Sequence, residues 1–217
     1  MLPFTREQFI AVFADYNAAV WPAQIVACAV GLAMVGAVLR PSPAADRWVR
    51  AGLALMWAWT GVAYHVLFFA PINPAALGFG ALFVLQALLF AHAGTLRRRL
   101  HFGPAAGLAG WLGWGLVVYA GVFYPLLGAW TGHRYPEMPV FGITPCPVTL
   151  FTLGLLLLTT APVPRWLLAI PLAWSLVGGS AAVALGVAMD WPLLFSGVAA
   201  AVALVVRDRQ RRAPLTP

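Results

Sequence analysis

The chain has 217 residues, of which 62% are hydrophobic and 9% charged, against roughly 25% charged in a soluble domain. Its net charge of +7 rests on 13 arginines, since there is no lysine. This composition excludes a soluble globular enzyme, and the missing lysine excludes a retinal Schiff base of the seven-helix pigment type. The basic residues flank apolar runs, where anionic headgroups attract each by about 1 kcal/mol, so the expected partners are anionic lipids rather than nucleic acid.

A bilayer core about 30 Å thick takes about 20 apolar residues per helix. Seven such runs cover 20–39, 48–70, 75–95, 105–128, 144–160, 166–188 and 191–206. The expected fold is an all-α bundle of seven transmembrane helices, one integral membrane domain over 1–217, with no room for a soluble domain of about 50 residues. Eleven arginines fall in alternate gaps: Arg40, Arg47 and Arg50; Arg97, Arg98 and Arg99; Arg165; and Arg207, Arg209, Arg211 and Arg212. Arg6 and Arg134 alone occupy the others. Arginine is retained on the cytoplasmic side, which places the N-terminus outside and the C-terminus inside. Trp21, Trp48, Trp130, Trp166 and Trp191 stand near span ends as interfacial anchors.

Taken in chain order, residues 4–18 read as a short interfacial helix. Thr5 and Gln8 fit a capping box, and Phe9, Val12, Phe13 and Tyr16 form one face, expected to lie aromatic side down in the outer interface. Glu7, Asp15 and Asn17 with no basic n-region argue against a cleavable signal peptide. Cys28, in the first span, and Cys146, at a helix mouth, form no disulfide framework. Gly178, Ala182 and Gly186 on the sixth span, and Gly107, Gly110 and Gly121 on the fourth, read as close-packing faces.

The longest connection, 129–145, is stiffened by prolines and precedes the shortest span, which predicts a loop folded into the outer mouth. Thr144 reads as an N-cap with Pro145 in the first turn, and Cys146 beside it lies where a helix N-terminus favours thiolate. His133, Met138 and Cys146, with His65 near, form a candidate set for a thiophilic metal ion such as Cu(I). His65 and His92 are the ionisable side chains well inside spans, and such groups are functional candidates by default. No carboxylate stands at mid-span, which counts against a proton- or sodium-coupled carrier. Gln24, Gln86 and Thr152 read either as lining of a pathway or as glue between helices. Tyr16, Asn17, Asn73, Tyr135 and the Asp190-Trp191-Pro192 turn gather on the outer side, either as a binding site for a small molecule or as a helix-capping collar.

Tyr16-Asn17 with Trp21-Pro22, Tyr64-His65 with Phe68-Phe69, Ile72-Asn73-Pro74-Ala75, Gly132-His133 with Tyr135-Pro136, Phe141-Gly142, Pro145-Cys146-Pro147 and Phe151-Thr152 resemble an uncharacterised bacterial family of small multi-span membrane proteins, known only as a domain of unknown function. Its members are sometimes labelled permeases of the major facilitator type, whose twelve spans in two halves differ from the seven here. The resemblance implies a bacterial inner-membrane location and no established reaction. The leading functional expectation is a small permease or ligand-binding membrane protein whose periplasm-facing polar site uses Tyr16, Asn17, His65, Asn73, His133, Tyr135 and Cys146. The alternatives are a membrane enzyme with Cys146 as nucleophile or redox thiol and His133 or His65 as base, and an accessory subunit of a membrane complex.

Overall fold

The computed structural model describes residues 3–93 and 100–211, and the regular elements among them are helices. α1 (Arg6–Ala19) opens on the expected capping box: Thr5 Oγ1 accepts from the Gln8 N–H, and Gln8 Oε1 accepts from the Thr5 N–H at 2.8 Å. The chain then bends by 86° into α2 (Ala23–Leu39), at a Trp21-Pro22 step where proline cannot supply a helix N–H.

α3 (Pro43–Trp59) is capped by the Ser42 hydroxyl, with Pro43 in its first turn. It runs on into a π-helical stretch, Thr60–Phe69. α4 (Ala75–His92) follows. α5 (Gly107–Val118) continues through a second π-helical stretch, Tyr119–Phe123, into α6 (Tyr124–Trp130). After the loop come α7 (Pro145–Leu157), α8 (Trp166–Leu185), a 3-10 turn at Ala188–Asp190 and α9 (Trp191–Gln210).

Among the described residues, five helices are long and apolar enough to cross a bilayer, or six if the bent α1–α2 pair counts as one span. The sequence expectation of seven departs from this at two places. The run at 20–39 yields a 17-residue helix within the bent pair, and the run at 144–160 shortens to the 13 residues of α7. The third expected run ends at 94–95, outside the described residues, as do Arg97, Arg98, Arg99 and Arg212.

α7 is the axis of the bundle. All its residues are buried, and it packs against α3, α5, α8 and α9. At about 1.5 Å per residue it is roughly 20 Å long, short of the ~30 Å of a bilayer core. The segment before it folds inward as the sequence implies: Gly142 packs on Ala27 of α2 and Met56 of α3, and Ile143 is buried. Thr144 takes the expected N-cap position with Pro145 in the first turn, but its hydroxyl makes no cap bond and donates back to the Val140 carbonyl at 2.8 Å.

Of the expected close-packing glycines on the fourth run, Gly110 lies tight against the Ala105 backbone and Gly107 meets nothing within 4 Å; the closest helix crossings use others. A Cβ on Gly154 would stand 2.9 Å from the Gly113 carbonyl oxygen, and one on Gly113 would stand 3.0 Å from that of Gly154. Gly61 and Gly80 pair in the same way between the π-helical end of α3 and α4, and Gly179 faces the Leu194 backbone of α9. Gly121 meets nothing within 4 Å, and Gly186 ends α8 in the left-handed conformation at φ 70. Gly178 and Ala182 line a cavity instead.

Hydrogen bonds sort the helix ends into two groups. At one end Asp46 holds His101 Nδ1 at 2.8 Å and accepts from the Phe102 N–H, while Arg207 donates to the carbonyls of Leu157 and Thr159. Arg211 donates to the Thr160 carbonyl there. At the other end lie α1, the 131–144 loop and the 3-10 turn, joined by bonds such as Tyr119 Oη to the Met189 carbonyl at 2.8 Å.

Candidate functional site

At the loop end, a cavity of about 610 Å³ opens between α1, the first π-helical stretch and α8. Its size is that of a small-molecule site. Phe9 and Phe13 of α1, Tyr64 and Phe69 of the π-helical stretch, and Phe79 of α4 make aromatic walls. The lining residues that carry polar groups are Cys146, Trp174, Asp190, Asn73, Tyr64 and Ser180. One side runs along α8, where Leu176 and Val177 are 44% and 48% exposed and Ser180 and Ala184 are exposed as well.

Two local departures from α-helical geometry position these groups. A π-helical turn inserts extra residues per turn and re-aims the side chains on it. In Thr60–Phe69 this puts Tyr64 and Phe69 on the cavity wall and His65 behind it, while Phe13 stacks on Tyr64 at 5.5 Å and Phe9 meets Phe69 at 5.8 Å. The aromatic face of α1 is therefore turned into the protein, not down into the interface as expected, because ring–ring packing is available there. The second stretch brings the Tyr124 hydroxyl to Asp190 Oδ1, to which it donates.

Asp190 was expected in an outer turn but is 2% exposed. Besides Tyr124, its side-chain neighbour is the Cys146 thiol. The thiol in turn faces Asp190 and Trp174. The Trp174 indole N–H makes no hydrogen bond of good geometry, and its near neighbour is the Cys146 sulfur, a weak acceptor. His65 is fully buried, with neither ring nitrogen hydrogen-bonded, inside a cage of Tyr64, Phe69, Phe79, Phe83 and Trp174. An unsatisfied buried polar group costs about 1–3 kcal/mol. Two such side chains in contact, His65 and Trp174 with centroids 5.0 Å apart, mark this wall out.

Of the residues singled out in the sequence, Asn73 and Cys146 line the cavity, and Asn73 Oδ1 also caps α4 by accepting from the Ala75 N–H. His65 stands directly behind Trp174. The other four make a latch. Tyr16 Oη donates to the Ile143 carbonyl at 2.8 Å and accepts from Trp59 Nε1. The Asn17 amide donates to the carbonyls of Pro136 and Met138, and Tyr135 Oη donates to the Asn17 carbonyl. His133 is buried, with Nε2 3.3 Å from Arg6 Nη2 and Nδ1 near the Thr131 hydroxyl. Burial, followed by the Arg6 charge, holds the His133 pKa below the usual histidine value. Arg6 Nε also donates to the Leu185 carbonyl at the end of α8, which ties α1 over the cavity.

Among the described residues, no group of three or more His, Cys, Asp or Glu side chains is placed to hold a metal ion. In the set His133, Met138 and Cys146, both imidazole nitrogens of His133 already face partners. His92 ends α4, exposed. Gln24 donates to the Asn17 carbonyl, Gln86 to the Leu167 carbonyl, and Thr152 accepts from Trp57 Nε1, so all three join helices.

Sequence reasoning missed Trp174 and Tyr124, and reached Asp190 only as part of an outer turn in the polar cluster. An Asp before Trp-Pro reads as a turn, and a single Trp inside an apolar run reads as core. The available signal was Gly178, one turn after Trp174, which leaves room for a flat indole.

The chain belongs to a family described as Family of unknown function (DUF6064), whose profile matches residues 6–214. No curated protein and no solved structure matches it.

Proposed function

From membership of that family and the geometry of this cavity, we propose that the chain is a seven-crossing protein of the bacterial inner membrane that binds a small molecule in the outer half of its bundle. In this reading α2 and the short α7 each cross, so the N-terminus lies outside and the arginine-bearing ends lie inside against anionic lipid. The whole chain then forms one membrane domain. Arg207 supports this arrangement: it bonds the carbonyls of Leu157 and Thr159 at the end of α7 opposite Cys146.

The observation that carries the reading is the aromatic cavity with Cys146, Trp174 and Asp190 in its polar wall. Asn73 and Cys146 contact the ligand, His65 supports Trp174 from behind, and Tyr16, Asn17, His133 and Tyr135 hold α1 and the loop over the site. Below the cavity Trp57, Phe83 and Phe90 fill the core, with Trp57 against Phe83 at 4.3 Å. The geometry therefore supports binding more than passage, and the permease reading adds a movement of this core.

The test is extraction and mass spectrometry of small molecules from the purified protein, compared with a cavity-filling Ala182→Phe variant. A stoichiometric compound in the wild type that is lost in the variant supports the reading. Equal content in both, or none in either, sinks it.

A further inference from the structure

We propose that the ligand is an uncharged, single-chain amphiphile drawn from the bilayer, whose head carries a hydroxyl or amide held between Trp174 and Asp190. The proposal rests on the binding reading above and names the class of molecule that the same site takes.

Three observations carry it. The first is the open side. The wall along α8 consists of Leu176, Val177, Ser180 and Ala184, all exposed in the isolated chain. In a bilayer such a helix face meets acyl chains, so a lipid-soluble molecule enters sideways without crossing water.

The second is charge. Asp190 lines the cavity, and no arginine or histidine does; Arg6, which ties α1 over it, is engaged by the Leu185 carbonyl and His133. With Asp190 ionised, an anionic head meets repulsion. With Asp190 neutral, an anionic head meets aromatic rings and no cation, at the desolvation cost of a buried charge. Fatty-acid carboxylates and phosphate heads are excluded on either count.

The third is the pattern of donors and acceptors. Trp174 is nine-tenths buried, and its N–H, a donor only, finds no well-aligned acceptor, the nearby Cys146 sulfur being a weak one. An ammonium head, also a donor only, leaves that N–H unpaired. Asp190 already accepts from Tyr124 and neighbours the Cys146 thiol, which reduces its hold on a cation. A hydroxyl or primary amide accepts from Trp174 and donates to Asp190 at once, satisfying both. The chain then lies among Phe9, Phe13, Phe69 and Phe79 and leaves along α8 toward the lipid.

The experiment compares three probes with the same 18-carbon chain: monooleoylglycerol, oleate and oleylamine. Each is titrated by native mass spectrometry into the full chain and into the Trp174→Phe and Ala182→Phe variants. The expected result is that monooleoylglycerol binds at least tenfold tighter than either charged probe. Trp174→Phe lowers its affinity about tenfold, and Ala182→Phe abolishes it. Oleate or oleylamine binding as tightly as monooleoylglycerol, with Ala182→Phe still abolishing it, overturns the uncharged class and leaves the cavity as the binding site. Binding of all three that neither variant changes overturns the site itself. Monooleoylglycerol binding that Trp174→Phe leaves unchanged overturns the hydrogen-bond assignment.

Discussion

The indole of Trp174 lies over Gly178 on the same helix: a Cβ at Gly178 would stand 2.9 Å from indole Cε2 and 3.0 Å from Nε1. Any larger residue at 178 moves the ring. An alanine there gains up to about 1 kcal/mol of helix propensity and displaces the indole. Gly178→Ala is therefore expected to keep the wild-type unfolding temperature within a few degrees while losing bound ligand. Thermal unfolding and ligand extraction on the same preparation check this, and full ligand content in the variant contradicts it.

The Tyr124–Asp190 bond predicts a stability loss. Tyr124→Phe removes the donor to a carboxyl that is 2% exposed and is expected to cost about 1–3 kcal/mol. In a chain of this size that is a fall of roughly 2–4 °C per kcal/mol in unfolding temperature. Calorimetry or a thermal shift in detergent measures it. Asp190→Asn, which keeps an acceptor, should lose less than Asp190→Leu.

The Arg6–His133 contact predicts acid sensitivity of the α1 latch. Arginine only donates, so His133 Nε2 has to accept, which requires neutral imidazole. Burial and Arg6 hold the docked His133 pKa below its usual value. Detached His133 therefore takes up a proton first, near the ordinary pKa of about 6.5. Docking is at full strength above that pH and weakens as pH falls through it toward the lower docked value. Hydrogen exchange on α1, corrected for intrinsic rates, should show protection falling between about pH 7.5 and 5.5 in the wild type. Charge-fixed His133→Gln should show no change across that window; pH-dependent protection persisting in it would remove His133 as the cause.

The glycine pair at the α5–α7 crossing predicts a contrast between two substitutions. Gly154→Leu drives a side chain into the Gly113 backbone 2.9 Å away, an overpacking expected to cost about 1–3 kcal/mol or more. Gly121→Ala, with nothing within 4 Å, should be neutral or slightly stabilising. Unfolding temperatures of the two variants decide it.

The sequence was informative wherever a property follows from composition or a short spacing. Apolar runs located the helices, the Thr5–Gln8 box located the start of α1, and the proline-rich segment before Cys146 announced a loop packed into the bundle. Cys146 and Asn73 were reached because they sit beside prolines at helix mouths. The seven-run count overstated what helix length alone supports, because α7 is only 13 residues and α2 only 17, bent sharply away from α1. Asp190 was read as an outer turn, but its burial against Tyr124 and Cys146 and the role of Trp174 were not legible, since they depend on two π-helical stretches and one glycine, which hydropathy does not register. Tyr16, Asn17 and Tyr135 were singled out as polar groups on the outer side; tertiary contacts assign them to the latch.

The most direct test replaces Val177, 48% exposed beside the cavity, with a photo-crosslinking amino acid in cells, and does the same at Val198 of α9, equally exposed. Mass spectrometry of the two irradiated proteins then identifies the adducts. A low-mass amphiphile attached at 177 and absent at 198 is the predicted result. The same bulk phospholipids at both positions would contradict a ligand site in this cavity.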